Sequence, residues 1–132
     1  MNLYIDKDKI NEALMSVGID PLKGKIIYAY EKFEGLNKMM YSTRDHKISN
    51  SYILYFSNDL FAISAYDMTM KNIDYKNIRK FDSNDVEIQI TEDREDVIYA
   101  FLSTPKSNFE LSIPLSIDDF KQQEINVKEI LR

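Results

Sequence analysis

Residues 52–81, YILYFSNDLFAISAYDMTMKNIDYKNIRKF, constrain the fold more than any other part of the chain. In residues 52–57 both alternating sets are largely apolar, with Tyr52, Leu54 and Phe56 on one side and Ile53 and Tyr55 on the other. Side chains alternate between the two faces of a strand, so a segment apolar on both faces must be covered on both. Asn58-Asp59 comes next; both residue types tolerate positive φ and suit a two-residue turn. Residues 60–66, LFAISAY, then return as a second strand, and Asn72–Ile78 reads as a third after a turn at 67–72. A hairpin of this kind cannot stand alone. Other elements must supply its two coverings.

The flanking sequence offers them. In residues 1–20, Ile10, Ala13, Leu14 and Val17 follow the spacing of one helical stripe, with Asp6 or Asp8 as the cap and Gly18 and Pro21 as the stop. Residues 25–34, KIIYAYEKFE, read as a strand with Ile26, Tyr28 and Tyr30 on one face, and 35–47 break the pattern as a long loop. Downstream, VEIQIT at 86–91 alternates strictly. Residues 97–103 place Val97, Tyr99 and Phe101 on one face, and 109–115 alternate through Phe109, Leu111, Ile113 and Leu115. Turn clusters separate these strands at 82–85, 92–96 and 104–108. Pro114 cannot donate to a ladder, so the last strand ends there or lies at an edge. The tail, 116–132, switches to helical spacing. Ser116 and Asp119 read as its capping pair, Ile117, Phe120, Val127, Ile130 and Leu131 as its buried residues, and Asn126 as an interruption. The expectation is a single, mainly β domain spanning 1–132. It has an N-terminal helix (1–20), seven antiparallel strands (25–115) forming a sandwich or barrel, and a C-terminal helical segment (116–132).

Seven strands closed by a C-terminal helix is the element order of the pleckstrin-homology superfold. The YILYFSNDLFAIS hairpin followed by IDYKNIRKF, with Ile73, Tyr75 and Ile78, resembles the bacterial pleckstrin-homology-like and GRAM-like domains. The resemblance implies two packed, near-orthogonal sheets with the helix plugging one end. It also implies a binding role towards lipid headgroups, peptides or other domains. The N-terminal helix and the 35–47 loop are additions to that pattern.

Composition narrows the function classes. The absence of cysteine excludes thiol catalysis, thiolate metal sites and disulfide staples. No apolar run approaches the roughly 20 residues of a membrane span. The first residues lack a basic segment leading into an apolar one, so neither a span nor a signal peptide is expected, and the location expected is cytoplasmic. A net charge of −5 argues against direct binding of nucleic-acid phosphates. Abundant Ile, Lys and Asn with few Gly and Pro read as AT-rich coding, bacterial or phage.

No catalytic constellation, metal box or phosphate loop is present, so the expectation is a non-enzymatic module without a cofactor. His46 is the sole histidine. It sits in Arg44-Asp45-His46-Lys47 with no orienting partner and no second ligand in sequence, which suits neither a general base nor a metal site. Its loop also holds Lys38, Arg44 and Lys47 beside Met39, Met40 and Tyr41; the apolar trio either tucks onto the core or forms an adaptable contact patch. These seven residues form one candidate partner-binding set. A second is the acidic group Glu92, Asp93, Glu95 and Asp96, which lacks the EF-hand spacing for calcium and has Arg94 in its middle. Residues 82–119 carry ten acidic side chains against Arg94 and Lys106. The leading reading is protein recognition, by a partner or a second copy of the chain. The alternative is a small acidic phage or mobile-element protein that inhibits a host defence factor. Binding of an anionic lipid headgroup ranks behind both.

Overall fold

The hairpin forms as its pattern requires. In the computed structural model, which describes residues 5–31, 51–67, 72, 73 and 75–131, β2 (Ser51–Phe56) pairs antiparallel with β3 (Leu60–Asp67). Phe56 lies opposite Phe61, and Asn58-Asp59 is the turn, closed by the Ser57 N–H donating to the Leu60 carbonyl at 2.9 Å. The Ser57 hydroxyl donates to that same carbonyl at 3.0 Å and accepts from the Leu60 N–H at 3.1 Å.

On the other side of β2 lies β1 (Lys25–Glu31), and around this trio the chain adds β4 (Asn72–Ile73), β5 (Arg79–Asp82), β6 (Glu87–Asp93), β7 (Val97–Ser103) and β8 (Asn108–Pro114). The result is one antiparallel sheet in the order β4-β3-β2-β1-β8-β7-β6, with β5 also on β3. The strand count is eight, not seven. The stretch expected as one strand over 72–78 is split: β4 pairs with Tyr66 and Asp67, a 3-10 turn follows at Tyr75–Asn77, and β5 rejoins β3 at Ile63. Lys76 and Asn77, both poor strand formers, stand in that turn. Pro114 ends β8 as expected. The edge alternative falls, because β8 lies between β1 and β7.

Ile27 and Ala29 of β1, Leu54 of β2, Phe61 and Ile63 of β3, Ile98, Ala100 and Leu102 of β7, and Leu111 and Ile113 of β8 share one buried cluster. Three strands separate β3 from β7 along the ladder, so the sheet folds over on itself to bring them together. The inward face of β7 is therefore Ile98, Ala100 and Leu102, while Val97, Tyr99 and Phe101 are half-buried on the other. β5 and β6 are linked only by the short turn Ser83–Asp85 and do not pair.

The opposite face of β1–β3 is covered by α1 (Lys7–Ser16), whose Ile10, Ala13 and Leu14 pack with Ile26, Tyr28, Ile53, Tyr55 and Tyr66. Asp6 caps this helix, accepting from the Lys9 N–H. Gly18, at φ +81°, ends it: its N–H reaches the Met15 carbonyl at 3.0 Å and the Ile19 N–H reaches the Leu14 carbonyl at 3.0 Å. That is the paired reverse turn for which glycine is favoured, with Ile19 buried beside Leu14.

The C-terminal helix α2 (Gln122–Leu131) departs from expectation in two ways. It starts at 122, not 116: Asp119 lies ahead of its first turn and accepts from the Ile5 N–H on the N-terminal segment. It also runs uninterrupted through Asn126, which is buried. Among the described residues β1 and β8 pair only at Tyr30–Ser112 and Glu31–Leu111. Where they part, α2 fills the gap with two amides. The Gln123 side chain accepts from the Tyr28 N–H at 2.9 Å and donates to the Tyr28 carbonyl at 2.8 Å and the Pro114 carbonyl at 2.9 Å; Asn126 donates to the Ile26 carbonyl at 2.8 Å. These bonds stand in for the missing ladder, because a buried backbone group without a partner is costly. Val127, Ile130 and Leu131 complete the seal from the same helix.

Candidate functional site

Two surfaces combine exposure with distinct chemistry. The first is the outer edge of β6. This strand pairs with β7 alone, and no strand among the described residues takes its other edge. Over Glu87–Ile90 the side chains alternate, with Ile88 and Ile90 half-buried against the core and Glu87 and Gln89 exposed. A bulge at Thr91 then breaks the register between Ile90 and Glu92, and the Thr91 hydroxyl donates to the Tyr99 carbonyl at 3.2 Å. A bulge leaves an extra residue unpaired and re-aims those after it. Thr91, Glu92 and Asp93 are consequently all exposed. The edge thus presents Glu87, Glu92 and Asp93 along a row of backbone donors and acceptors, with no basic residue in the strand.

The turn beyond it is tight. The Arg94 N–H donates to the Val97 carbonyl at 2.9 Å, leaving Glu95 and Asp96 at the tip. Arg94 folds back, donating from Nε to Glu92 Oε1 at 2.7 Å and lying 5.4 Å from the centre of the Tyr99 ring. The four acidic residues singled out by sequence therefore form one exposed strip, with Glu92 partly offset by Arg94. Among the described residues, no group of three or more His, Cys, Asp or Glu side chains is placed to hold a metal ion.

The second surface has no counterpart in the sequence pattern. β5 pairs with β3 from Leu60 to Ile63 and β4 pairs from Tyr66, so among the described residues the strand pairing on that side steps over Ser64 and Ala65. A cleft of about 380 Å³ opens at this break. Tyr52, Ile63, Ile78 and Phe109 contribute its apolar surface, and Lys76 and Arg79 its charge. Tyr52 and Phe109 meet edge to face, with ring centroids 5.3 Å apart. The Tyr52 hydroxyl donates to Glu31 Oε1 at 2.5 Å. Burial pushes its pKa well above the usual phenol range and the Glu31 carboxylate adds to this, while Arg79 acts in the opposite sense. Tyr52 therefore stays protonated and locked as a donor. Arg79 Nη1 lies 3.5 Å from the Ser107 hydroxyl on the β7–β8 turn. The lining comes from β2, β3, β5, β8 and a 3-10 turn, segments far apart in the chain, which is why no local pattern announces it. The one signal in the sequence is that the alternation of Ile73 and Tyr75 fails at Asn77 and Ile78.

The other candidate set, Lys38, Met39, Met40, Tyr41, Arg44, His46 and Lys47, lies outside the described residues. Among the described residues no helix is long and apolar enough to cross a membrane. No protein-family model, no curated protein and no solved structure matches this chain.

Proposed function

We propose that this chain is a non-enzymatic recognition domain of the pleckstrin-homology-like kind, and that it binds a protein partner along β6. The observation that carries the reading is the β6 edge, which no strand among the described residues takes, with Glu87, Glu92 and Asp93 exposed along it. An open edge supplies main-chain hydrogen bonds to an added strand, and the side chains beside it select the sequence. Acidic side chains select a basic, extended segment and favour its approach through long-range attraction. They disfavour an anionic lipid surface. The domain reading draws support from the ladder, in which two groups of strands join at β1–β8 and part at β5–β6, with a C-terminal helix set against β1.

A peptide of alternating Lys and Val, titrated into ¹⁵N-labelled protein, tests this. The expected result is saturable shifts centred on residues 87–93, weakened by salt and lost in a Glu87→Lys, Asp93→Lys double variant that keeps a dispersed spectrum. Shifts centred elsewhere, or unchanged affinity in the variant, refute the assignment to β6.

A further inference from the structure

We propose that the cleft at the break in the β4–β5 strand is a binding site for a small aromatic carboxylate, separate from the β6 edge. No β6 residue lines it. Its charge runs against that of the molecule: the chain carries net −5, yet among the described residues the cleft's lining holds Lys76 and Arg79 and no carboxylate. A guanidinium offers two parallel donors that match a carboxylate.

The remainder of the wall suits a flat apolar body. Tyr52 and Phe109 are fixed at 67° to one another, Tyr52 by its bond to Glu31 and Phe109 by its place in β8, and Ile63 and Ile78 line the cleft with them. Rings favour edge-to-face and offset contacts, so this pair presents a wall against which a third ring can pack. Because Tyr52 already donates to Glu31, its hydroxyl is not spent on the ligand. The anion falls to Arg79, whose partner on the β7–β8 turn is a neutral hydroxyl at 3.5 Å, a contact readily exchanged. The volume of about 380 Å³ lies at the small end of ligand sites and accommodates on the order of ten to fifteen heavy atoms. Bare inorganic anions would leave the aromatic wall unused, and neutral rings would leave the guanidinium unused.

The experiment follows amide shifts of ¹⁵N-labelled protein with three probes: 2-naphthoate, acetate and 2-naphthamide. Naphthoate is expected to give saturable shifts at Tyr52, Ala65, Ile78, Arg79 and Phe109. Acetate and naphthamide should each bind about tenfold more weakly or worse, which is the loss of one good interaction. Arg79→Gln, an exposed change, should weaken naphthoate about tenfold and leave naphthamide unchanged. Phe109→Leu should weaken both ring-bearing probes and leave acetate unchanged. The proposal is overturned if naphthoate gives no saturable shift at these residues, if the three probes bind alike, or if Arg79→Gln binds naphthoate as the parent does. The peptide titration on β6 reads a different set of amides, so either proposal can fail alone.

Discussion

Replacing Gln123 by methionine tests how the helix and sheet are joined. Gln123 is fully buried and its amide makes three bonds, to the Tyr28 N–H, the Tyr28 carbonyl and the Pro114 carbonyl, all between 2.8 and 2.9 Å. In an antiparallel ladder alternate residues turn both their backbone groups towards the same neighbour. Tyr28 turns its pair away from β2, to the side that β8 has left. Methionine matches glutamine in length and brings no polar atom that replaces the amide. The Tyr28 N–H and carbonyl then lose their partner inside the protein, at about 1–3 kcal/mol each, and the better-placed Met hydrocarbon returns roughly 1 kcal/mol. The net loss is about 3 kcal/mol. Domains hold only about 5–15 kcal/mol in total, and urea slopes are about 1–3 kcal/mol per molar, so the unfolding midpoint should fall by about 1–3 M. Glu124→Met, one residue away and exposed, serves as the control and should leave the midpoint in place. Hydrogen exchange supplies the local readout: the Tyr28 amide should lose protection in the Gln123 variant while the Ile53 amide on β2 keeps more of its own. An unchanged midpoint, or a Tyr28 amide that exchanges as slowly as in the parent, would refute the reasoning that these side-chain amides replace a strand.

Gly24 offers a second test. A Cβ there would stand 2.4 Å from the Tyr55 ring and 2.6 Å from the Phe56 carbonyl, so Gly24→Ala should cost about 1–3 kcal/mol in thermal or urea unfolding, and a neutral result would show that β1 can shift away. Tyr66 gives a third, at high pH. It is 6% exposed, and burial first, then Asp119, Tyr28, Asp6 and Asp67, push its pKa from 10.0 up to about 12. Between those values the unfolded chain releases the phenolic proton and the folded chain keeps it. Stability contributed by the neutral phenol is therefore present below pH 10 and falls as pH rises towards 12, with a slope of up to about 1.4 kcal/mol per pH unit. Tyr66→Phe should flatten that part of the stability curve; an unchanged slope would assign the alkaline loss to other groups.

Much of the sheet is legible in the residue pattern alone. Strict alternation in 86–91 and 109–115 places Ile88, Ile90, Leu111 and Ile113 on the inner face, because a period of two leaves a strand no freedom to choose. The two-sided pattern of β2 correctly requires two coverings. The helix α1 is fixed at both ends by local chemistry, Asp6 at one and Gly18 at the other. The acidic strip is likewise local, being contiguous in sequence.

The failures share a cause. Ser116 and Asp119 have the right spacing for a cap, yet Asp119 is claimed by the Ile5 N–H, a partner more than a hundred residues away. Asn126 reads as an interruption because Asn is a weak helix former, but burial against β1 gives its amide a bond that outweighs that propensity. Stretch 72–78 reads as one strand because Ile73, Tyr75 and Ile78 suit one, whereas β3 pairs with its start, Asn72–Ile73, and then with Arg79–Asp82 beyond it. In each case the deciding partner is remote in sequence.

By itself, then, the sequence determined the mainly β, antiparallel class of fold, the inner faces of β6 and β8, the Asn58-Asp59 turn and the acid-rich second half. These follow from periods of 2 and 3.6 residues and from turn chemistry, all readable within a few neighbours. The tertiary structure alone decided that β1 and β8 part company, that Gln123 and Asn126 close the opening, that β6 keeps an edge no other described strand takes, and that a break beside Ser64 and Ala65 opens a cationic, aromatic-walled cleft. Those features depend on which backbone groups find partners once the sheet folds over, and that accounting is settled only when every strand is in place.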